Sequence, residues 1–166
     1  VGGTVVDTLT GGSGDDTITG GAGADELSGD AGDDTFNFAS AAELAADATV
    51  DGGAGTDTIT MNTAGAGLAL INTDFADVTL MENLDLAGTG TQAVTLGAAT
   101  DAAFATGVTI TTEAAATSLN LQGALSGVSI NATGTNNDDT LVGGTVVDTL
   151  TGGSGDDTIT GGAGAD

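Results

Sequence analysis

Carboxylates are the side chains of this sequence with the greatest capacity for chemistry. The 166 residues include 24 Asp and Glu but no Lys, Arg, His or Cys, so the formal net charge is −24. The usual general bases, nucleophiles and soft metal ligands are therefore missing, and so is any basic surface for nucleic acid. Two kinds of chemistry remain: a carboxylate pair acting on a glycosidic bond, or several carboxylates binding a hard cation. Neither Trp nor Tyr is present to stack a sugar, which disfavours the glycosidase.

The aspartates recur at one position of a nine-residue repeat. Units such as GGSGDDTIT (11–19) and GGAGTDTIT (52–60) carry Asp at position six and an aliphatic residue or Phe at position eight. Such a fixed period is typical of solenoids. The position-six residues are Asp7, Asp16, Asp25, Asp34, Asp57, Asp139, Asp148 and Asp157, with Asp166 in a last, truncated unit.

Each unit is predicted to form a turn followed by a short strand. Glycines permit the positive φ angles of the turn, and strand alternation points the middle residue of the Thr-Ile-Thr triplet inward. Two consecutive units make one coil, so Asp16 is expected near Asp34, and Asp7 near Asp25. Carboxylates in such rows lie about 5 Å apart and repel one another. Calcium, which takes roughly six to eight oxygens and accepts carbonyls, would hold the rows together.

These units resemble the RTX (repeats-in-toxin) calcium-binding β-roll family. Its consensus G-G-x-G-x-D-x-U-x is matched almost letter for letter by the two units quoted above. The resemblance implies several Ca²⁺ ions between successive turns, held by position-six carboxylates and turn carbonyls. Some units depart from the consensus, because Val5, Val146 or Asn137 replaces the glycine at position four and Asp30 stands at position two. The sites of the units with Val5, Val146 or Asn137 are expected to be incomplete. The residues assigned to metal binding by the resemblance are Asp7, Gly12, Gly14, Asp16, Gly21, Gly23, Asp25, Gly32, Asp34, Gly53, Gly55, Asp57, Asp139, Asp148, Gly153, Gly155 and Asp157.

A second, longer repeat encloses the first. Val1–Asp25 recurs unchanged as Val142–Asp166. The simplest explanation is that positions 1–141 are one period of a longer tandem array, which starts again at Val142. A solenoid whose end repeats its beginning offers a head-to-tail interface that does not close, which is the geometry of filaments. We therefore expect head-to-tail self-association through tandem repeats or a filament, with lateral assembly also open.

The segments between the nonapeptides differ in character. Ser40 and Glu43 form a capping box before the helix-forming run from Ala41 to Asp47, which predicts a short helical insertion. The acids Glu43 and Asp47 are expected to be solvated rather than ligating. The predicted divisions are a nonapeptide β-roll at 1–37, a helical insertion at 38–51, an isolated nonapeptide at 52–60, an irregular solenoid at 61–133 and the β-roll of the next long repeat at 134–166.

Short triplets with apolar ends continue through the irregular part and predict strands. The predicted fold is an all-β parallel β-solenoid, a calcium β-roll continuing into a β-helix, with Phe75 and Phe104 filling wider places. About six coils per long repeat would advance the axis by roughly 30 Å. The triplets are Val78-Thr79-Leu80, Leu84-Asp85-Leu86, Val94-Thr95-Leu96, Val108-Thr109-Ile110, Leu119-Asn120-Leu121 and Val128-Ser129-Ile130.

The predicted function is that of a calcium-dependent structural repeat, not of an enzyme. RTX-like segments form the bodies of adhesins and S-layer proteins, and long identical repeats build length. We therefore expect a secreted bacterial surface or matrix protein (fibre, adhesin stalk, S-layer or biofilm component) that leaves the cell by type I secretion and folds outside on binding Ca²⁺. The predicted location is extracellular or the bacterial cell surface, and no stretch approaches the roughly 20 apolar residues of a membrane span.

Two other functions stay open. One is a calcium-folded RTX module attached to a secreted enzyme or toxin. The other is an ice-binding solenoid with a flat ladder of Thr side chains. Stacking of alternate units places Glu26 and Ser28 over Thr8 and Thr10, which breaks the ladder on one face.

Overall fold

The protein winds into a parallel β-solenoid. A computed structural model describes residues 1–63, 67–88, 90–112, 118–122 and 127–166. Within these residues the helical segments are α1 (Ala41–Leu44), a 3₁₀ helix (Asn72–Phe75) and α2 (Ala98–Ala103). None of them is long and apolar enough to cross a membrane. The strands are β1 (Thr8–Ser13), β2 (Thr17–Ile18), β3 (Glu26–Ala31), β4 (Thr35–Phe38), β5 (Thr49–Asp51), β6 (Thr58–Met61), β7 (Leu68–Leu70), β8 (Val78–Thr79), β9 (Asn83–Leu86), β10 (Thr91–Thr95), β11 (Val108–Thr112), β12 (Ser118–Gln122), β13 (Ile130–Thr133), β14 (Thr140–Val142), β15 (Thr149–Thr151) and β16 (Thr158–Thr160).

The described strands form parallel sheets that enclose one core. The spanning sheet, β2-β4-β6-β9-β11-β13-β15, runs the length of the solenoid. The first sheet, β1-β3-β5-β8, covers the N-terminal part, and the last sheet, β7-β10-β12-β14-β16, covers the C-terminal part. Six strand steps separate β2 from β15 in the spanning sheet, so at about 4.8 Å per step the axis advances by about 29 Å. The predicted all-β parallel solenoid is confirmed.

The coils are shortest at the two ends and longest in the middle. Strands β1 and β3 pair with Thr8 opposite Glu26, two nonapeptide lengths apart as predicted, and β14 and β16 pair at the same spacing. The spacing is much wider between β5 and β8, where Val50 lies opposite Val78. Among the described residues, the longer middle coils contain α1, the 3₁₀ helix and α2 between their strands. The coil therefore grows by adding segments around the core while its strands stay in register.

Apolar side chains at the centres of the strands fill the core. The position-eight residues Ile18, Leu27 and Ile59 are buried as predicted. Phe75 and Phe104 are fully buried and meet edge to face, with ring centroids 5.7 Å apart, in the part of the solenoid with the longest coils. The prediction that these two rings fill wider places is therefore confirmed.

Only the Ser40 half of the predicted capping box of α1 is present, and the helix is shorter than its composition suggests. The Ser40 hydroxyl accepts the backbone N–H of Glu43, and the Glu43 carboxylate accepts that of Ala39 at 2.6 Å. The helix ends at Leu44, whose side chain is buried in the core, and the chain then turns to bury Asp47 before β5.

Most of the predicted triplets of the irregular part place both apolar ends in the core. Leu84-Asp85-Leu86 in β9 and Val108-Thr109-Ile110 in β11 are examples. Leu80 differs, because it is 51% exposed and has a φ of 55° where the chain turns out of β8 toward β9. Leu119-Asn120-Leu121 lies in β12, and its side chains are outside the described residues.

Candidate metal centre

Each consensus turn bends through glycines in the left-handed region and ends at its Asp. Asp30, at position two of its unit, has a φ of 71° and adopts the same bend although it carries a side chain. Gly23 lacks a positive φ, but a Cβ there would lie 2.6 Å from the carbonyl oxygen of Val5, so close stacking of the turns requires glycine. The predicted carbonyl donors with positive φ are Gly12, Gly14, Gly21, Gly32, Gly53, Gly55, Gly153 and Gly155.

The position-six aspartates of the N-terminal part form two rows. In the first row, the backbone N–H of Asp7 donates to Oδ1 of Asp25 at 2.9 Å. In the second row, the N–H of Asp16 donates to Oδ1 of Asp34, and the N–H of Asp34 donates to Oδ1 of Asp57, both at 2.8 Å. Each carboxylate thereby joins its coil to the preceding coil. The predicted neighbours, Asp7 with Asp25 and Asp16 with Asp34, are confirmed.

The rows start again near the C-terminus. The N–H of Asp139 donates to Oδ1 of Asp157, and the N–H of Asp148 donates to Oδ1 of Asp166, each at 3.0 Å. Because the segment 142–166 repeats the segment 1–25, the same turn geometry returns with the same spacing between coils.

Two acidic residues outside the position-six set extend the N-terminal rows. Oδ1 of Asp47 accepts the N–H of Asp25 at 3.2 Å, and Oε2 of Glu82 accepts the N–H of Asp57 at 2.8 Å. The prediction that Asp47 is solvated is wrong, because its side chain is only 4% exposed. Their positions in the sequence resemble those of the position-six aspartates, since Glu82 directly precedes β9 and Asp47 lies just before β5. An acidic residue just before a strand is therefore a candidate member of a carboxylate row even when it lies outside a nonapeptide.

Four of the described row carboxylates have a buried oxygen without a hydrogen-bond partner. These oxygens are Oδ2 of Asp25, Asp34, Asp47 and Asp57. A buried anionic oxygen is costly unless a cation compensates it. Since the sequence contains no Lys, Arg or His, the compensating cation must come from outside the chain.

The units with a replaced fourth glycine use this oxygen within their own turn. Oδ2 of Asp7 accepts the N–H of Gly3 at 2.7 Å. Oδ2 of Asp148 accepts the N–H of Gly144, and Oδ2 of Asp139 accepts that of Thr135, each at 2.6 Å. In these turns the aspartate bonds within its own turn, whereas Oδ2 of Asp25, Asp34 and Asp57 is buried without a hydrogen-bond partner.

The donor set around the rows suits calcium. Among the described residues, no three acidic side chains come close enough to hold a metal without other ligands. Turn carbonyls must therefore supply most of the oxygens, and successive turns approach closely: a Cβ on Gly11 would lie 2.9 Å from the carbonyl oxygen of Gly29 in the next coil. Calcium accepts carboxylate and carbonyl oxygens together in flexible geometry, unlike Mg²⁺, which demands a near-ideal octahedron.

Burial makes the ionised form of two row carboxylates unfavourable in the absence of a cation. Burial raises the pKa of Asp47 to about 6, with the charges of Asp25 and Glu43 adding to the effect and the hydrogen bond from the Asp25 N–H opposing it. Burial also raises the pKa of Asp57, again with neighbouring carboxylates contributing. Ionised carboxylates in these rows therefore destabilise the metal-free fold.

The comparison with protein families decides what the repeat is. The sequence model of the RTX calcium-binding nonapeptide repeat matches residues 1–36, 47–60 and 133–166, just over half of the chain. The chain belongs to this family. Separate searches of curated proteins and of solved structures found no match. RTX nonapeptides bind calcium, and the paired row carboxylates and glycine turns described above are the elements of this chain that fit it.

Calcium binding by the RTX rows is expected to weaken as the pH falls through about 6. Asp47 takes up a proton near that pH, and the row then loses one of the negative charges that attract a cation. The metal-free fold should respond in the opposite direction. Because the folded pKa of Asp47 lies above its ordinary value of 3.8, the destabilisation is absent below that value, grows as the pH rises and is complete above about 6.

Calorimetric calcium affinity and the circular dichroism of metal-free protein, each measured on both sides of pH 6, test these two directions. A calcium affinity that does not change with pH would contradict the first. Metal-free protein that gains no β-structure on acidification would contradict the second.

Alanine substitutions at two glycines of the RTX turns distinguish the effect of backbone strain from the effect of a steric collision. Gly12 and Gly53 have φ angles of 106° and 100°, so Ala at either position costs about 1–2 kcal/mol. A Cβ on Gly53 would also collide with the carbonyl of Asp30, whereas nothing lies within 4 Å of one on Gly12. We expect Gly53→Ala to lower the free energy of unfolding by clearly more than Gly12→Ala, as measured by urea unfolding in saturating calcium. Equal losses would show that the stacked turns tolerate the extra carbon.

Proposed function

We propose that this chain is a calcium-folded structural repeat of a long secreted bacterial surface or matrix protein, such as a fibre, adhesin stalk or S-layer component. The observation that carries the proposal is the segment 142–166, which repeats the segment 1–25 without change and stacks on the preceding coils through β15 and β16. A solenoid that restarts its own sequence while its sheets continue is suited to building length.

The calcium requirement supports a location outside the cell. Extracellular calcium modules typically bind in the range of about 10⁻⁴ to 10⁻³ M, well above cytosolic calcium. A chain of net charge −24 without a compensating cation resists compaction, which favours export before folding. The polar side chains offer carboxylates, hydroxyls and amides, so a role in building structure suits this chain better than catalysis.

Electron microscopy of chains with one, two and four copies of the period 1–141 tests the structural role. In calcium, particle length should increase by about 29 Å for each added period, since each contributes six strand steps. Globular particles whose length does not grow with copy number would refute this role. Antibody labelling of intact producing cells tests the location, and labelling only after lysis would refute it.

A second candidate, ice binding, is favoured by one feature of the spanning sheet. Its outward side chains form a ladder that contains only Thr and Asn along one row: Thr17, Thr35, Thr58, Asn83, Thr109, Asn131 and Thr149. On the first sheet the ladder is interrupted as predicted, since Thr8 lies opposite Glu26. Regular hydroxyl and amide groups at about 4.8 Å intervals could order water into a lattice.

Thermal hysteresis of the calcium-loaded protein tests this candidate. If ice binds the ladder, Thr109→Tyr should abolish the hysteresis and Thr8→Tyr should leave it intact. Absence of hysteresis in the unsubstituted protein would exclude ice binding.

A further inference from the structure

We propose that Asp47, a residue outside the nonapeptides, is a calcium ligand that completes a site between the turn at 20–25 and helix α1. The inference rests on the calcium binding in the proposed function and assigns it to an additional place. It makes the helical insertion part of a metal site.

The first support is the burial and pairing of the two carboxylates. Asp25 is fully buried and Asp47 is 4% exposed. Oδ1 of Asp47 accepts the N–H of Asp25, while Oδ2 of each residue is buried without a hydrogen-bond partner. Two anionic oxygens in neighbouring coils therefore lack any donor from the chain. A divalent cation bound by both is the arrangement that compensates them together.

The second support is a cavity between the same turn and the same helix. A cavity of about 410 Å³ separates the turn from α1, and its walls include Gly21 and Gly23 on one side and Ser40 and Glu43 on the other. Gly21 has a φ of 90°, the bend that characterises the calcium turns of this chain. The helix therefore lies where the next nonapeptide turn of a regular coil would form the opposite wall. Asp47 takes the role that a position-six aspartate has in a regular coil.

Calcium stoichiometry of the full 166-residue chain tests the proposal. Asp47→Asn keeps an oxygen that can accept the N–H of Asp25 but removes the charge, so a purely structural role predicts no change. We expect native mass spectrometry and calorimetry to show one bound ion fewer. Asp77→Asn, which removes an exposed acid outside the nonapeptides, should leave the number unchanged, and Asp47→Glu should retain the original number.

An unchanged number of ions in Asp47→Asn would overturn the proposal, and so would loss of an ion in Asp47→Glu as well, because that pattern indicates damage to packing. A parent chain that binds no calcium at all would instead refute the calcium requirement of the proposed function. The two failures are therefore distinguishable.

The identical segments at the two ends lie on different sheets. Strand β1 belongs to the first sheet, but its copy β15 belongs to the spanning sheet. Strand β2 belongs to the spanning sheet, but its copy β16 belongs to the last sheet. Between the two ends the solenoid has moved round its axis by one sheet.

The middle coils explain this step. Strand β7 opens the last sheet after α1, and the first sheet ends at β8, before α2. Between β6 and β9, which both lie in the spanning sheet, the chain visits the last sheet through β7 and the first sheet through β8. The last sheet therefore begins before the first sheet ends. The solenoid starts with the first and spanning sheets and finishes with the spanning and last sheets.

We infer that in a tandem array each sheet continues from one copy of the repeat into the next copy. The spanning sheet of one copy continues as the first sheet of the next copy, and the last sheet continues as its spanning sheet. Each sheet then runs through parts of three successive copies, and two sheets cross every junction. Because backbone ladders bridge the junctions, such an array has no plane at which copies separate without breaking a sheet. This inference rests on the tandem arrangement in the proposed function.

Disulfide formation in the 166-residue chain tests the step, because the sequence contains no cysteine of its own. Asn131 lies opposite Thr149 in the spanning sheet, and Thr140 lies opposite Thr158 in the last sheet. Cα atoms of paired strands lie about 4.8 Å apart, within disulfide range. In calcium, the cysteine pairs 131/149 and 140/158 should oxidise nearly completely, and the crossed pairs 131/158 and 140/149 should not.

Preferential formation of the crossed pairs would overturn the inference, since it would place the C-terminal segment on the opposite sheets. This pattern does not depend on how many copies the parent protein contains. A single-copy parent would refute the tandem arrangement and leave the cross-linking result standing.

Discussion

Removing calcium with excess chelator is expected to abolish the β-structure of this chain and to expand it severalfold. The radius of gyration should move toward the roughly 43 Å of an unfolded chain of this length, where a compact fold would have roughly 15 Å. Far-ultraviolet circular dichroism and small-angle scattering measure the two changes. Restoring millimolar calcium should reverse both.

The size of this effect follows from the number of places where carboxylates of adjacent coils meet. At near-millimolar calcium, each site of this class contributes about 1 kcal/mol by mass action. Several such sites together equal a large part of the roughly 5–15 kcal/mol that stabilises a domain. Without the ions, the same carboxylates repel one another, and Asp47 and Asp57 carry the additional cost of burial.

Magnesium at equal concentration is the matched control for this experiment. It screens charge as calcium does but requires a near-ideal octahedron, which glycine carbonyls and paired carboxylates do not offer. Folding that magnesium or sodium chloride restores as well as calcium does would show that screening alone is sufficient. A full β-signal in excess chelator would contradict calcium-dependent folding itself.

Asp34→Asn is expected to change stability in opposite directions with and without calcium. Asp34 is 1% exposed and lies in the middle of the second row, where it bonds to the coil of Asp16 before it and that of Asp57 after it. In calcium, the substitution weakens the two sites that share this carboxylate and should lower the free energy of unfolding by on the order of 2 kcal/mol. In chelator, it removes a buried charge from a repulsive row, so the folded fraction should rise.

Urea unfolding in calcium and circular dichroism in chelator measure the two responses. Asp77→Asn removes an exposed carboxylate outside the rows and should change neither by much. If Asp34→Asn lowered stability in calcium without raising the β-signal in chelator, the carboxylate would serve only as a hydrogen-bond acceptor for the backbone.

The local parts of this structure follow from the sequence. Nonapeptides of constant length set the pairing of β1 with β3 at a distance of two units, and alternation along a strand buries Ile18 and Leu27. The neighbours within each regular row follow from the same period. These features depend on residues close in sequence, so a repeat pattern is sufficient to predict them.

The irregular coils are different, because packing between distant segments decides them. The spacing of nonapeptides does not reveal that α1 brings Asp47 beneath Asp25, or that Glu82 meets Asp57 across a lengthened coil. Nor does it reveal that the segment 142–166 lies one sheet away from the identical segment 1–25. The repeated segment continues the two sheets that the middle coils leave open, which are the spanning sheet and the last sheet. The nine-residue period thus determines the coil and its carboxylate rows, whereas the packing of the inserted segments decides where the rows end and which sheets continue.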